Sequence, residues 1–184
     1  MPWVGRPPRE IRRDRLLDLG PGAPTGEVTA TLLRGEGDGL PGALALGWRE
    51  PDPVARRARA LHLGFAPVLV ADIAAWGLER KPLYHLVADH AEDWPPPFRG
   101  VPREDRAVVD ALMAILHRHD DPADGIRSAV RLGGAATALL GGLVGAILGS
   151  RYPSAVRALP WLDRVALPGE AELDAAVRTL GARR

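Results

Sequence analysis

Apolar and polar residues follow one another along this chain mainly with the period of an α-helix. Over residues 104–117, apolar side chains recur every three or four positions, which places them on one helical face. No segment alternates with the two-residue period of a half-buried strand for long enough to predict one. The pattern therefore predicts an all-α protein. The predicted stripe consists of Val108, Ala111, Leu112, Ile115 and Leu116.

Proline, glycine and aspartate mark where the predicted helices begin and end. Asp-Pro pairs at 52–53 and 121–122 combine a capping side chain with a residue that suits the first helical position. The first pair predicts a long helix to about Trp76, bent or broken at Pro67. The glycine-rich run 34–42 predicts a mobile loop. Further helices are predicted over residues 9–19, 82–91 and 170–180.

The segment 132–150 has no charged side chain, and glycine stands at its positions 141, 145 and 149. Only seven of its residues are Leu, Ile or Val, and the pair Gly133 and Gly134 predicts a break that leaves too few residues to span a membrane. We therefore predict a central, buried, glycine-rich helix from about 135 to 149 and no membrane partner. Glycines four apart also let a neighbouring helix approach closely, so pairing with a second copy is an alternative.

Composition excludes several kinds of chemistry. The chain has 18 prolines but no Cys, Asn or Gln, so it offers no thiol nucleophile, thiolate ligand or side-chain amide. Scarcity of these thermolabile residues resembles thermophile usage. The net charge of +1 predicts no nucleic-acid partner. The first residues lack the apolar core of a secretory signal, and we expect a cytoplasmic, single-domain protein over 1–184 with residues 1–10 flexible.

Two polar clusters have structural interpretations that we prefer to functional ones. Arg56, Arg57 and Arg59 could meet phosphates, but three arginines on one turn more often form a solvated helix face. Residues 117–121, with the sequence HRHDD, contain metal-type side chains. We expect the histidines to end one helix and Asp121 to cap the next. No serine lies in a Gly-x-Ser-x-Gly motif, so nothing predicts acyl transfer.

Two segments resemble motifs of the ADP-ribosylglycohydrolases, an all-α family. Residues 129–149 have the sequence AVRLGGAATALLGGLVGAILG, similar to the family's Ala-Val, Leu-Gly-Gly, Asp-Thr-Asp-Thr and Ala/Gly-rich helix. Residues 22–33, GAPTGEVTATLL, are similar to its Thr-Asp-Asp-Thr and the apolar helix that follows. Weaker similarity at 49–61 and Trp161 extends the resemblance to residues 22–165. It implies an ADP-ribosylglycohydrolase-like orthogonal helical bundle.

The resemblance also implies a site that has lost its metals. Enzymes of that family hold two Mg²⁺ ions largely through carboxylates of these motifs, and Mg²⁺ requires anionic oxygen ligands. Here Ala135, Thr137 and Gly26 stand in the acidic motifs, and Glu27 is the one matching carboxylate. We therefore expect no catalytic residue, no metal ligand and no cofactor, and a cleft for an ADP-ribose-like small molecule. The candidate cleft residues are Thr25, Glu27, Asp38, Gly133, Gly134 and Thr137.

Two other functions stay open at this point. An active hydrolase of ADP-ribosyl or related N-glycosidic bonds could use a rearranged site built from Glu27, Asp38 and Asp120 or Asp121. That hypothesis requires these carboxylates to converge on one cleft. Alternatively, the chain could be an oligomeric structural protein whose glycine-rich helix packs against its twin.

Overall fold

The computed structural model describes residues 37–79, 103–134 and 136–162, together with Thr31, Arg34, Ala171, Ala175 and Arg178. None of these described residues belongs to a strand, so the predicted all-α class is confirmed. The helices predicted over 9–19 and 82–91, and most of 170–180, lie outside the described residues. The three described ranges contain α1 (Gly39–Arg49), α2 (Pro53–Leu61), α3 (Phe65–Glu79), α4 (Arg103–Arg118), α5 (Pro122–Leu132), α6 (Thr137–Arg151) and α7 (Pro153–Arg157).

Helix α6 is the glycine-rich helix, and it packs against α3, α4 and α5. Its apolar side chains are buried in the core, as predicted. Removing their apolar surface from water stabilises the fold. No helix in the described part of the chain is both long enough and apolar enough to cross a membrane. The buried side chains of α6 are Leu139, Leu140, Leu143, Val144, Ile147 and Leu148.

The predicted amphipathic helix over 104–117 is confirmed as α4, and all five residues of its apolar stripe are buried. Helix α7 has only five residues and no buried side chain. A helix this short shows no periodicity in sequence, which explains why the pattern did not predict it.

The break in the long helix predicted from residue 53 lies at Gly64, and its prediction at Pro67 was wrong. Helix α2 ends at Leu61, and Gly64 has a φ of 124°, a backbone conformation that L side chains rarely adopt. Its N–H donates to the carbonyl of Ala60 at 3.2 Å. Pro67 falls in the first turn of α3, where its missing N–H has no intrahelical partner to lose.

The loop predicted over 34–42 was wrong in its second half, because α1 begins at Gly39 and buries most of its length. Glycine permits this packing. A Cβ at Gly47 would overlap the backbone carbonyl oxygen of Ala71 and approach Ala74 Cβ to 2.7 Å. Helices α1 and α3 therefore cross at a distance that no larger residue allows at this position.

Both Asp-Pro pairs start helices as predicted. The Asp52 carboxylate accepts hydrogen bonds from the N–H of Val54 at 3.3 Å and of Ala55 at 3.1 Å. The Asp121 carboxylate accepts from the N–H of Asp124 at 3.1 Å. These bonds satisfy helix N–H groups that have no partner within the helix.

We expect Asp121→Ala to lower the free energy of unfolding by about 1 kcal/mol, because it removes the capping acceptor of α5. Asp38 is a matched control: it precedes α1 but its side chain makes no capping hydrogen bond. Asp38→Ala should therefore change the free energy of unfolding by less than about 0.5 kcal/mol. Urea unfolding followed by circular dichroism measures both, and equal losses would contradict the assigned caps.

Candidate functional site

The turn between α5 and α6 contains two glycines with positive φ, and we call Gly133 and Gly134 the glycine turn. Their φ values are 70° and 87°, a backbone conformation that is unfavourable for residues with a Cβ atom. The Gly133 N–H donates to the carbonyl of Val130 at 3.2 Å and ends α5. The Gly134 carbonyl accepts from the N–H of Thr137 at 3.2 Å and starts α6. The chain thus passes directly from one helix end to a helix start.

The start of α6 has no side-chain cap. Its N-cap residue is Ala136, which has no side-chain acceptor, and its first turn contains no acidic residue. The first N–H groups of a helix have no intrahelical acceptors, and the helix dipole makes this end electropositive. An uncapped helix start therefore suits an anionic or carbonyl oxygen of a ligand.

Thr137 adds a buried hydroxyl to this helix start. Its Oγ1 atom is removed from solvent and has no hydrogen-bond partner in the part of the chain that the structure describes. Gly141 lies one helical turn further on the same face of α6, and a Cβ placed there would meet no atom of the described residues within 4 Å. The hydroxyl and the open space beside Gly141 thus lie on one face of the helix.

Four of the six predicted cleft residues are among the residues that the structure describes. Gly133, Gly134 and Thr137 form one junction, as their positions in the sequence require. Asp38 belongs to another helix: it is exposed at the start of α1, which packs mainly on α3. Thr25 and Glu27 lie outside the described residues, so their place in the cleft stays a prediction.

The described part of the junction does not fit a Mg²⁺ site. Its oxygen donors are the neutral Thr137 hydroxyl and backbone carbonyls, whereas Mg²⁺ is held in proteins by carboxylates and phosphates. Among the described residues, no group of three or more His, Asp or Glu side chains could hold a metal ion. No catalytic step that requires a metal is therefore assigned to these residues.

Asp120 and Asp121, the two acids of the rearranged-site hypothesis, lie far from the glycine turn. They precede α5 and the turn follows it, which separates them by roughly 16 Å at the rise of an α-helix. Both carboxylates also have structural partners. Asp121 caps α5, and Asp120 Oδ1 accepts from the Tyr152 hydroxyl at 3.3 Å. Asp120 and Asp121 therefore do not contribute carboxylates to this junction.

Two of the three glycines spaced four apart in α6 lie against side chains of neighbouring helices of the same chain. A Cβ at Gly145 would meet Ile126 at 3.4 Å, and one at Gly149 would meet Val156 at 3.3 Å. The glycines thus admit α5 and α7 to the surface of α6. These contacts lie within the chain, whereas Gly141 has no such neighbour among the described residues, so pairing with a second copy stays a prediction.

A buried ion pair links α2 to α3, and the sequence analysis missed it. The Asp72 carboxylate is buried and accepts from Arg56 Nε at 2.9 Å and Arg57 Nε at 2.7 Å. Arg56 also donates to the carbonyl of Glu50 at 3.0 Å. The prediction of a solvated arginine face was therefore wrong for Arg56, which is buried. An acid in the middle of the apolar α3 was the available signal, since buried carboxylates require partners.

The turn between α4 and α5 is a structural junction, as predicted. Asp121 caps α5, and the exposed His117 lies in the last turn of α4. His119 Nε2 lies 2.9 Å from Ser128 Oγ, a hydrogen bond that ties the turn to α5. The sequence did not identify Ser128 as the hydrogen-bond partner of His119, because the two residues meet only through the direction in which α5 runs.

Comparison of the chain with models of protein families, with curated proteins and with solved structures found no match. A functional hypothesis for this protein therefore depends on its own residues and their geometry.

Proposed function

We propose that this chain is an ADP-ribosylglycohydrolase-like protein that binds an ADP-ribose-like ligand beside the glycine turn without hydrolysing it. The observation that supports this proposal most is the set of hydrogen-bond donors at the start of α6, which lies within the motif of residues 129–149. It offers helix N–H groups with no side-chain cap and a buried hydroxyl with no partner among the described residues.

The ligand chemistry follows from these donors. ADP-ribose contains a diphosphate, and phosphate oxygens are favourable acceptors for N–H groups at a helix start. The glycine turn has no side chains that would hold the ligand away from the backbone. Once the atoms that cover it move aside on binding, the Thr137 hydroxyl would donate to a ligand oxygen and so satisfy a buried polar group that otherwise costs free energy.

The open space beside Gly141 supports a ligand that extends along α6. A Cβ there would meet none of the described residues within 4 Å, in contrast to Gly125 on the adjacent helix, where it would overlap the side chain of Leu148. In our proposal the ligand's ribose or base lies against this face, with its phosphates at the helix start. The remaining wall of the cleft would include Thr25 and Glu27, as the family resemblance implies.

The proposed lack of hydrolysis follows from the donor set. Cleavage of an N-glycosidic bond requires a group that activates water, either a general base or a metal-bound hydroxide. Hydroxyl, carbonyl and N–H groups at the described part of the junction can bind and orient a ligand, but none of them accepts a proton near neutral pH. We therefore assign this site binding and no bond cleavage.

Titration calorimetry with ADP-ribose, with and without Mg²⁺, tests the proposal. We expect binding whose affinity changes less than about twofold on adding Mg²⁺, because no described donor at the junction is a carboxylate. Thr137→Val keeps the side-chain shape and removes the hydroxyl, so it should weaken binding by about two- to tenfold. Ser154→Ala, which removes an exposed hydroxyl from α7, should leave the affinity unchanged.

Two results would overturn the proposal in different ways. Release of ADP-ribose from an ADP-ribosylated substrate, or binding that requires Mg²⁺, would show an active or metal-dependent site. Absence of binding, in a sample whose unfolding transition is intact, would remove ADP-ribose as the ligand.

A further inference from the structure

Ser128 is a helical serine whose hydroxyl bonds to a side chain rather than to its own helix. Its Oγ atom lies 2.9 Å from His119 Nε2, although the two residues are nine positions apart. Ser150, in α6, instead donates to the carbonyl of Ile147 at 2.8 Å, as serines within helices commonly do. Ser128 and His119 are both half-buried, so a small molecule can reach the pair from solvent.

The imidazole of His119 can accept the proton of this hydroxyl. Ser128 is the one side chain that bonds to the ring in the part of the chain that the structure describes. The two acids that follow it are engaged elsewhere, since Asp120 accepts from the Tyr152 hydroxyl and Asp121 caps α5. When the neutral ring carries its proton on Nδ1, the lone pair of Nε2 faces the Ser128 hydroxyl.

Arg131 places a positive charge beside this pair. It follows Ser128 by three residues in α5, so the two positions are neighbours on the helix surface. Helical side chains lean toward the N-terminal end of their helix, which brings the guanidinium of Arg131 toward the turn that contains Ser128. Arg131 is exposed, and no described residue forms an ion pair with it. Its N–H donors are therefore available to a negative charge that develops at Ser128.

We propose that Ser128 is a nucleophile that accepts acyl groups from small aryl esters, with His119 as its general base and Arg131 as the cation that stabilises the oxyanion. A hydroxyl and a base within hydrogen-bond distance form the arrangement that activates a serine. The N–H groups of α5 beside Ser128 are engaged within the helix, so Arg131 alone stabilises the oxyanion. The ester therefore requires a good leaving group, such as a phenolate.

The proposed reaction has two steps. In the first, the Ser128 hydroxyl proton moves to His119 Nε2 while Oγ bonds to the acyl carbon, and the bond from that carbon to the aryl oxygen breaks. The phenolate leaves as an anion, and His119 releases its proton to solvent. In the second step, His119 takes a proton from water as that water attacks the acyl carbon. The carboxylic acid then leaves, and Ser128 regains its hydroxyl proton from His119.

Acetylation by p-nitrophenyl acetate tests the proposal, and the chain supplies its own controls because it contains only three serines. Ser128 faces His119, Ser150 bonds to a backbone carbonyl, and Ser154 is exposed. Mass spectrometry of peptides from acid-quenched samples locates the acetyl group. We expect Ser128 to be acetylated at least about tenfold faster than Ser154. Arg131→Leu should slow this reaction by about threefold or more.

His119→Gln is the variant that separates a base from a structural contact. Glutamine can still form a hydrogen bond with the Ser128 hydroxyl, but its amide does not accept a proton from it. The variant should therefore keep the unfolding transition of the protein and lose at least about tenfold in the rate of Ser128 acetylation. Circular dichroism during urea unfolding verifies that the turn between α4 and α5 is intact.

Single-thiol variants test the base independently of the weak nucleophilicity of a hydroxyl. Ser128→Cys and Ser154→Cys each introduce one cysteine into a chain that has none. An adjacent imidazole favours the reactive thiolate, so adding His119→Gln to Ser128→Cys should slow alkylation by iodoacetamide at least about tenfold. The same addition to Ser154→Cys should change the rate by less than about twofold, since Ser154 has no hydrogen bond to His119.

Three results would each overturn the proposal. They are acetylation of Ser128 no faster than that of Ser154, acetylation unaffected by Arg131→Leu, and alkylation of Ser128→Cys unaffected by His119→Gln. None of these measurements involves ADP-ribose, so they test Ser128 separately from the glycine turn.

Discussion

Replacing Asp72 with alanine will lower the free energy of unfolding by about 3–5 kcal/mol. The substitution leaves Arg56 buried with no carboxylate partner, and burial of an uncompensated charge costs far more than loss of a surface pair. It also removes the partner of Arg57 Nε, so α2 loses both of its ionic contacts with α3. Urea unfolding with a linear extrapolation measures the loss.

Asp124→Ala is the control for this experiment. Asp124 pairs with Arg127 on the surface of α5, with its carboxylate 3.0 Å from the guanidinium, and both side chains are exposed. Solvent screens such a pair, so its removal should cost less than about 1 kcal/mol. If Asp72→Ala proves no more destabilising than Asp124→Ala, the buried ion pair does not hold α2 against α3.

Replacing Gly47 with alanine will destabilise the protein by about 3 kcal/mol, the upper end of the range for overpacked cores. The added Cβ would overlap the backbone carbonyl oxygen of Ala71, and a carbonyl within a helix cannot rotate away as a side chain can. Relief of the overlap therefore requires α1 and α3 to move apart. Thermal unfolding followed by circular dichroism measures this change.

Gly141→Ala should instead raise the stability of the protein. A Cβ at Gly141 would meet no atom within 4 Å in the part of the chain that the structure describes, and alanine favours a helix over glycine by about 0.5–1 kcal/mol. The same substitution is thus expected to destabilise α1 and stabilise α6. Similar effects at both positions would contradict the close crossing of α1 and α3.

Features set by neighbouring residues could be predicted from sequence. The stripe of α4 depends on spacing within one helix, and the caps Asp52 and Asp121 act on N–H groups two or three residues away. The glycine turn likewise depends on the conformation that its two residues permit. These features require no knowledge of how the helices pack.

Features set by packing could not be predicted. Gly42 disfavours a helix by its local propensity, which is why the start of α1 was predicted as a loop, and only the structure shows that a Cβ there would overlap the backbone carbonyl of Gly37. Arg56 and Asp72 are sixteen residues apart, and only the chain reversal at Gly64 brings them together. Pro67 was predicted as the breaking residue because the local rule for proline does not say whether a given proline lies within a helix or in its first turn.

The candidate site divides in the same way. The glycine turn and Thr137 are close because they are consecutive, whereas the inclusion of Asp38 required a tertiary contact between α1 and α6 that sequence cannot supply. The hydroxyl of Thr137 was identified from its position in a motif. Its lack of a partner among the described residues, on which the proposed function depends, is visible only in three dimensions.

The open space beside Gly141 makes this position suitable for a spectroscopic label. The chain contains no cysteine, so Gly141→Cys would create a single thiol for attachment of an environment-sensitive dye. The dye would be attached one helical turn from Thr137, at a position where a Cβ meets none of the described residues within 4 Å. Ligands that enter this space could then be detected by emission in a mixture, before any of them has been identified.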